Sequence, residues 1–242
     1  MGGENMIILP AIDLFDKKAV RLYKGDYREM TVYSENPLSV ALDFEEKGAS
    51  HIHLVDLEGA KEGTTPNIDV VSEIVNKTSL FAEIGGGIRS LETIEKYLSI
   101  GVGRVILGTA AVTDEDFLTA ALSEYKERVA IGIDVKDSFV AIKGWTEKST
   151  YTLDAFFQKV EGLGAKTVIC TDISKDGAMQ GTNRALYREL SEKYTLDIIA
   201  SGGVSSLDDI RALREMKLYG AIVGKAYYTG AIDLASAIEV AK

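Results

Sequence analysis

Short apolar runs alternate with amphipathic segments along the whole chain of 242 residues. Most of these runs are nearly continuous stretches of Val, Ile, Leu and Ala, a pattern that is typical of parallel strands covered on both faces. We predict eight strands, at residues 7–12, 51–55, 80–84, 104–107, 129–133, 167–170, 197–200 and 220–223. A segment with helical periodicity follows each run, so the pattern predicts a strand–helix unit that occurs eight times.

Residues with helix-capping preferences mark where the helices begin and end. The expected N-caps are Asn36, Thr65, Ser90, Thr113 and Ser206, and the first two each precede a proline. Ser206 begins a sequence close to a capping box. Gly48, Gly101 and Gly164 stand where a helix ends and a left-handed residue is favoured.

A turn with paired glycines occurs twice, as EIGGGIRSLE at 83–92 and as ASGGVSSLDD at 200–209. Three further segments match in the same order: 11–14 with 132–135, 54–67 with 170–183, and 105–111 with 221–227. One match could be a coincidence between Gly-rich loops, but four in register indicate a true repeat. We therefore predict an α/β fold, a (β/α)8 TIM barrel with a two-fold internal repeat. It is expected to form one domain over 1–242, with half-barrels at about 6–126 and 127–242.

Composition narrows the classes of function. The net charge of −10 disfavours nucleic acid as a partner, because binding to a phosphate backbone requires a basic surface. The single Cys170 excludes an intramolecular disulfide and favours a cytoplasmic location, and the two histidines form no zinc-type cluster with it. The N-terminal MGGENM is too short and polar for a signal peptide, and no apolar run is long enough to span a membrane.

Two aspartates end equivalent strands of the two half-barrels. Asp13 closes the first apolar run and Asp134 the fifth. An isolated Asp at a strand end is more often a loop cap or an ion-pair partner. Here, however, the repeat sets the two carboxylates opposite each other at the barrel mouth, where the reacting groups of such barrels lie. Two carboxylates in different environments can serve as general acid and general base, and this is the role that we predict.

A second repeat-related pair, Asp56 and Asp172, ends strands two and six. The sequence leaves two roles open for these aspartates: they act in the pocket, or they accept hydrogen bonds from loop N–H groups. The hydroxyl of Thr171 is predicted to face the pocket. Cys170 and the histidines His51 and His53 lie within strand runs, and we interpret them as packing residues.

The glycine-rich strand ends are suited to phosphate, because Gly allows the backbone to approach an anion and the following turn offers free N–H groups. They are Gly86, Gly87, Gly108 and Thr109 in one half, and Gly202, Gly203, Gly224 and Lys225 in the other. Their duplication predicts two phosphates at opposite ends of one ligand. Trp145 lies in a polar loop and is expected to stack on a planar heterocycle, the alternative being a core position.

Several of these segments together resemble a known family. AIDLFDKKAVRLYKGDY, HLVDLEGAK, GGGIRS, KGW, CTDISKDG and ASGGVSS are similar to motifs of the HisA-type isomerase of histidine biosynthesis, over essentially the whole chain from Met6. The resemblance implies an Amadori rearrangement, in which the aminoaldose phosphoribosylformimino-aminoimidazole carboxamide ribonucleotide becomes its aminoketose. That substrate carries a phosphate at each end.

The resemblance also implies a role for each matching residue. Asp13 corresponds to the general base, Asp134 to the general acid, Thr171 to an assisting hydroxyl and Trp145 to the stacking indole. One phosphate site comprises Gly87, Gly108 and Thr109; the other comprises Asp176, Gly177, Gly202, Gly203, Gly224 and Lys225. No metal or organic cofactor is implied. The expected partner is a small bisphosphorylated ribonucleotide, with no nucleic acid and no membrane, and the chain is expected to act as a monomer.

Three alternatives compete with this interpretation. The related cyclase of the same pathway would have a Cys before the first Asp and no Trp in loop five, whereas this chain has AIDL and KGW. A dual-substrate isomerase that also converts phosphoribosylanthranilate is not distinguished by the sequence. A barrel that only binds ribonucleotides has no need of two opposed carboxylates.

Overall fold

Eight parallel strands close into a barrel in the computed structural model, which describes residues 5–23 and 25–242. They are β1 (Ile7–Phe15), β4 (His51–Asp56), β5 (Phe81–Gly85), β6 (Arg104–Leu107), β7 (Val129–Lys136), β10 (Thr167–Asp172), β11 (Asp197–Ser201) and β12 (Gly220–Val223). They are hydrogen-bonded in this order, and β12 pairs with β1 to close the ring. The predicted (β/α)8 barrel is confirmed, and each strand begins within one residue of its predicted start. The domain bounds stay a prediction, since they include residues outside the described ranges.

Helices connect the barrel strands. They are α1 (Pro37–Glu46), α2 (Leu57–Glu62), α3 (Ile68–Lys77), α4 (Leu91–Ser99), α5 (Thr109–Thr113), α6 (Glu115–Tyr125), α7 (Leu153–Gly162), α8 (Arg184–Lys193), α9 (Leu207–Glu215), α10 (Lys225–Tyr228) and α11 (Leu234–Ala241), with a 3-10 turn at Lys126–Arg128. Among the described residues, none of these helices has the length and apolar character needed to cross a membrane.

Three predicted N-caps are confirmed. The side chains of Asn36, Ser90 and Ser206 accept hydrogen bonds from the N–H groups three residues on. Gly48, Gly101 and Gly164 have the expected positive φ, of 91°, 99° and 85°.

Two predicted N-caps are wrong. Thr65 lies ahead of α3, whose N-cap is Asn67, and Thr113 is the last residue of α5. The carboxylate of Asp114 accepts from Phe117 N–H instead, because an ionised acceptor caps a helix better than the neighbouring threonine hydroxyl does.

Four strands were not predicted from the sequence. β2 (Lys18–Tyr23) and β3 (Asp26–Ser34) continue β1 as antiparallel strands, and β8 (Phe139–Ile142) and β9 (Glu147–Thr152) continue β7 in the same way. The first turn of each extension has two residues at positive φ, Asp16 and Lys17 at 48° and 60°, and Asp137 and Ser138 at 50° and 65°. Such turns match the twist of two-residue hairpins. The two-fold repeat therefore includes a hairpin beside each catalytic candidate.

Two apolar layers stabilise the fold. The larger one fills the space between the barrel and its surrounding helices. A smaller one lies inside the barrel and consists of Leu9, Ala11, Ile106, Ala130, Ile169, Ile199 and Ile222. The inner layer closes the barrel below its mouth, so a ligand is confined to the C-terminal ends of the strands.

Asp56 and Asp172 each hold a βα loop. Asp56 is fully buried and accepts from Gly59 N–H at 2.8 Å and from the amide of Asn67 at 2.8 Å. Asp172 accepts from Ser174 N–H at 2.9 Å and from the amide of Asn183 at 2.6 Å. Of the two roles left open by the sequence, these contacts favour the structural one.

Replacing Asn67 by Ala should lower the free energy of unfolding by about 1–3 kcal/mol, because the buried Asp56 carboxylate loses a donor. Asn76→Ala is the matched control, since the Asn76 side chain is exposed and bonds only within α3. Urea unfolding of both variants measures the difference. Equal stabilities would contradict the assigned role.

Candidate active site

Asp13 and Asp134 lie on opposite sides of the barrel mouth, because β1 and β7 are separated by three strands on one side and three on the other. Asp13 is 9% exposed and Asp134 is part-buried. The charges of Asp176 and His53 act on both carboxyl groups.

Asp13 faces a cation. Arg21 Nη1, from β2, lies 3.1 Å from Asp13 Oδ1. Burial raises the pKa of Asp13; the Arg21 guanidinium opposes this and the Asp176 carboxylate adds to it. Arg21 Nε is buried and has no hydrogen-bond partner within the described part of the chain. A Cβ on Gly224 would come within 2.5 Å of the Arg21 guanidinium, so this cation lies between the carboxylate and one predicted phosphate end.

Arg21 is not among the site residues that the sequence predicts. Arg21 lies on β2, which pairs with β1, the strand that carries Asp13. The tight turn at Asp16 and Lys17 joins the two strands and so determines how closely Arg21 approaches Asp13. The signal that could have found it is the alternation of KAVRLY after that turn.

Asp134 faces neutral donors. Trp145 Nε1 donates to Asp134 Oδ2 at 2.8 Å, and Thr171 is the register partner of Asp134 on β10. Burial raises the pKa of Asp134, and the indole N–H and the Thr171 hydroxyl partly oppose that rise. The structure thus brings Asp134, Trp145 and Thr171 together, and the predicted stacking of Trp145 on a heterocycle stays a prediction.

The loop that carries Trp145 has an unusual backbone. Lys143, Gly144 and Trp145 have φ of 53°, 62° and 71°, a run of left-handed residues. Lys143 N–H donates to the Thr109 hydroxyl at 2.9 Å, and the indole packs against Gly25. The loop therefore joins a predicted phosphate residue to Asp134.

The paired glycines have a structural role of their own. Gly87 and Gly203 have φ of 72° and 79°. A Cβ on Gly87 would come within 1.8 Å of the Gly59 carbonyl, and one on Gly203 within 2.5 Å of the Gly181 carbonyl. Gly86 and Gly202 approach the Asp56 and Asp172 carbonyls in the same way. Close packing between neighbouring loops thus explains these glycines whether or not phosphate binds there.

Gly108 and Gly224 begin α5 and α10 in nearly the same conformation, with φ/ψ of −100°/−108° and −104°/−106°. Because the residue at each N-cap is a glycine, neither helix start is capped by the side chain of its own N-cap residue. Lys225 Nζ donates to the Gly177 carbonyl at 3.1 Å, which joins this end to the loop that contains Asp176.

Cys170 and His53, which the sequence predicts to be packing residues, have different surroundings in the structure. Cys170 is fully buried, and burial raises the pKa of its thiol, which agrees with packing. His53 is hydrogen-bonded to buried Glu83, so it belongs to a polar network and not to an apolar layer. Among the described residues, no three His, Cys, Asp or Glu side chains group as a metal site.

The model of one family, described as histidine biosynthesis protein, matches residues 7–233. The chain belongs to this family. A Brachyspira hyodysenteriae relative is 50% identical over 237 residues, 98% of this chain and 100% of its own length. A Lactococcus lactis subsp. cremoris relative is 52% identical over 231 residues, 95% of this chain and 94% of its own. Both carry the name 1-(5-phosphoribosyl)-5-((5-phosphoribosylamino)methylideneamino)imidazole-4-carboxamide isomerase. Family membership confirms the resemblance seen in the sequence.

Replacing Asp134 by Asn should stabilise the protein at pH 7. The pKa of Asp134 is raised in the folded state, so ionisation of this group lowers stability as the pH rises. An Asn side chain does not ionise, so it removes that loss of stability, and its amide oxygen can still accept the hydrogen bond from Trp145. We expect a gain of about 0.5–2 kcal/mol at pH 7, the range of typical stabilising substitutions, which disappears below the ordinary carboxyl pKa of about 4.

Thermal unfolding at pH 7 and pH 3.5 measures this gain. Asp137→Asn is the control, because Asp137 is exposed in the adjacent turn. A lower melting temperature for Asp134→Asn at pH 7 would contradict the assignment of a buried, destabilising carboxylate.

Proposed function

We propose that this protein is an aldose–ketose isomerase of histidine biosynthesis. Its reaction is the Amadori rearrangement of the aminoaldose phosphoribosylformimino-aminoimidazole carboxamide ribonucleotide to the aminoketose. The observation that carries the proposal is the pair of opposed carboxylates with unlike partners, Arg21 on Asp13 and Trp145 on Asp134. The isomerase names of relatives that match nearly the whole chain support it.

The unlike partners support one assignment of roles. A guanidinium stabilises the ionised form of a carboxyl group more than a neutral donor does, so Asp13 is the general base. Asp134 is hydrogen-bonded by the neutral donors Trp145 and Thr171 and has no guanidinium partner like that of Asp13, and it is the general acid. Asp134 protonates the ribose ring oxygen and opens the ring to a Schiff base. Asp13 then removes the C2 proton to give the enolamine, and addition of a proton at C1 with loss of the C2 hydroxyl proton gives the ketose.

The duplicated strand ends hold the substrate. Gly108 and Thr109 follow β6, and Gly224 and Lys225 follow β12, which is opposite β6 in the barrel. Backbone N–H groups after each glycine bind one phosphate. A ligand fixed at both ends brings its ribose between the two carboxylates, and this orientation reduces the entropy lost on reaching the transition state. Trp145 leaves Asp134 to stack on the imidazole carboxamide.

Purified protein should convert the aminoaldose without ammonia or a partner protein, as measured by the absorbance change of the product. Asp13→Asn and Asp134→Asn should each lower kcat by about 10²–10⁴-fold, the usual loss when a general acid or base is removed. Asp137→Asn should keep full activity. Near-normal turnover of either active-site variant would remove that residue from the mechanism, and conversion of phosphoribosylanthranilate alone would overturn the substrate.

Both predicted phosphate sites should be equally important for substrate binding. Thr109→Asp and Lys225→Glu each introduce a carboxylate beside one end and should raise KM by tenfold or more through repulsion. Substitutions at Gly87 or Gly203 are poorer tests, since any Cβ there meets neighbouring backbone. Thr113→Asp, at the exposed far end of α5, is the control. A crystal grown with phosphate should hold two anions; an unchanged KM in one variant, or a single anion at saturation, would contradict a bisphosphate ligand.

A further inference from the structure

The turn between β1 and β2 is bound by two side chains that follow β4. Asp16 N–H donates to Glu58 Oε2 at 2.8 Å, and Lys17 N–H donates to Asn67 Oδ1 at 2.9 Å. The amide nitrogen of Asn67 donates to the same Glu58 oxygen at 3.0 Å, so the two acceptors also bind each other. Glu58 and Asn67 thus form a turn anchor, which gives fixed acceptors to the N–H groups of both positive-φ residues of the turn.

The first turn of α2 also contacts the outer strand β3. Tyr27 donates its hydroxyl to the Leu57 carbonyl at 2.8 Å, and its ring packs edge-to-face on Phe15 with the ring centroids 6.2 Å apart. Leu57 and Glu58 are adjacent in α2. One turn of helix is therefore bonded both to the β1–β2 turn and to the strand that pairs with β2.

The other half-barrel has no turn anchor. The repeat-equivalent residues are the turn residues Asp137 and Ser138 and the side chains Ser174 and Asn183. The serine hydroxyl donates to Asp172 at 2.6 Å, and the asparagine oxygen accepts from Leu186 N–H at 3.2 Å. A cavity of about 380 Å³ lies beside this turn, and all four equivalent residues line it. One half-barrel thus forms without these bonds, so the fold itself does not explain them in the other half.

The anchored turn lies next to the ion pair of the site. Three register pairs join β2 to β1, and the pair farthest from the turn is Asp13 with Val20. Arg21 follows directly, and its Nη1 lies 3.1 Å from Asp13 Oδ1. With so short a ladder, displacing the turn tilts β2 and moves the guanidinium. The repeat-equivalent of Arg21 is Ile142, so the anchor and the ion pair occur in the same half-barrel.

We propose that Glu58 is a positioning residue, which fixes the turn at Asp16 and Lys17 and so holds Arg21 against Asp13 while the substrate proton is removed. This inference rests on the proposed isomerase function. Glu58 transfers no proton and acts only through the hairpin. Its role is that of an acceptor, because both of its donors bond to one oxygen, Oε2. A neutral amide oxygen in the same place accepts both bonds, whereas a methyl side chain accepts neither.

The first test compares Glu58→Ala with the conservative Glu58→Gln. In the alanine variant kcat/KM for the aminoaldose should fall by about two- to tenfold, the range that corresponds to one hydrogen bond. Glu58→Gln should restore at least half of the wild-type value. Glu62→Ala is the matched control and should be unchanged, since Glu62 is exposed at the end of the same helix. Equal kcat/KM in the alanine and glutamine variants would overturn the proposal.

A double-mutant cycle tests whether Glu58 acts through Arg21. Arg21→Met removes the guanidinium, so adding Glu58→Ala to this variant should cause no further loss of kcat/KM. Two independent effects would multiply instead. A general weakening of the fold would also multiply with the loss of Arg21, because it does not depend on the guanidinium. Losses that multiply would therefore overturn the positioning role.

A readout without turnover separates this inference from the proposed function. Arg21 lowers the pKa of Asp13, so a displaced guanidinium makes that carboxyl group titrate at higher pH. Removing the negative charge of Glu58 would by itself act in the opposite direction, and the sign thus distinguishes positioning from direct electrostatics. The other charged groups that act on Asp13, Asp176 and His53, are left in place.

The carboxyl carbon signal of Asp13, assigned by its absence in Asp13→Asn, should titrate at higher pH in Glu58→Ala than in wild type or Glu62→Ala. An unchanged or lowered titration would overturn the proposal even in an active enzyme. Absence of aminoaldose turnover in the wild type, with the raised titration present, would overturn the isomerase function and leave the effect of Glu58 on the Arg21–Asp13 pair established.

Discussion

Hydrogen bonding between β12 and β1 closes the sheet, and the geometry of the site depends on that closure. In a closed ring of eight strands, each residue of one half-barrel lies opposite its repeat partner in the other. Asp13 meets Asp134 across the mouth for this reason, and the strand ends at Gly108 and Gly224 do the same. An open sheet with the same strands would put these pairs at distant edges. The closed ring thus turns a sequence repeat into a single pocket with two equivalent sides.

Acid–base chemistry requires the two sides to differ. The hairpins beside Asp13 and Asp134 have the same turn geometry and register, yet Arg21 on one corresponds to Ile142 on the other. Arg21 adds positive charge beside Asp13, whereas the Trp145 indole gives Asp134 a neutral donor. Symmetry in the backbone and asymmetry in a few side chains are therefore compatible with one base and one acid.

The sequence was sufficient for features that local pattern determines. Continuous apolar runs located the eight barrel strands because both faces of such strands are covered, and the repeat identified Asp13 and Asp134 as a pair. The sequence was insufficient for features that depend on long-range pairing between strands. Most residues of β3 are exposed, so this strand lacks the hydrophobic pattern of a covered strand. Arg21 became meaningful only once strand pairing set it beside Asp13.

Binding and catalysis respond differently to duplication for a physical reason. A proposed phosphate site made of backbone N–H groups needs only the conformation of Gly108 or Gly224, and two halves with the same backbone reproduce it without further change. The paired glycines reinforce this, because Gly87 and Gly203 let neighbouring loops pack at distances that any side chain would prevent. The ionisation of a carboxyl group instead depends on the charges around it, which the backbone does not copy. In the proposed mechanism, the residues that decide the chemistry are accordingly those at which the two halves differ, and Arg21, paired with Asp13, is one of them.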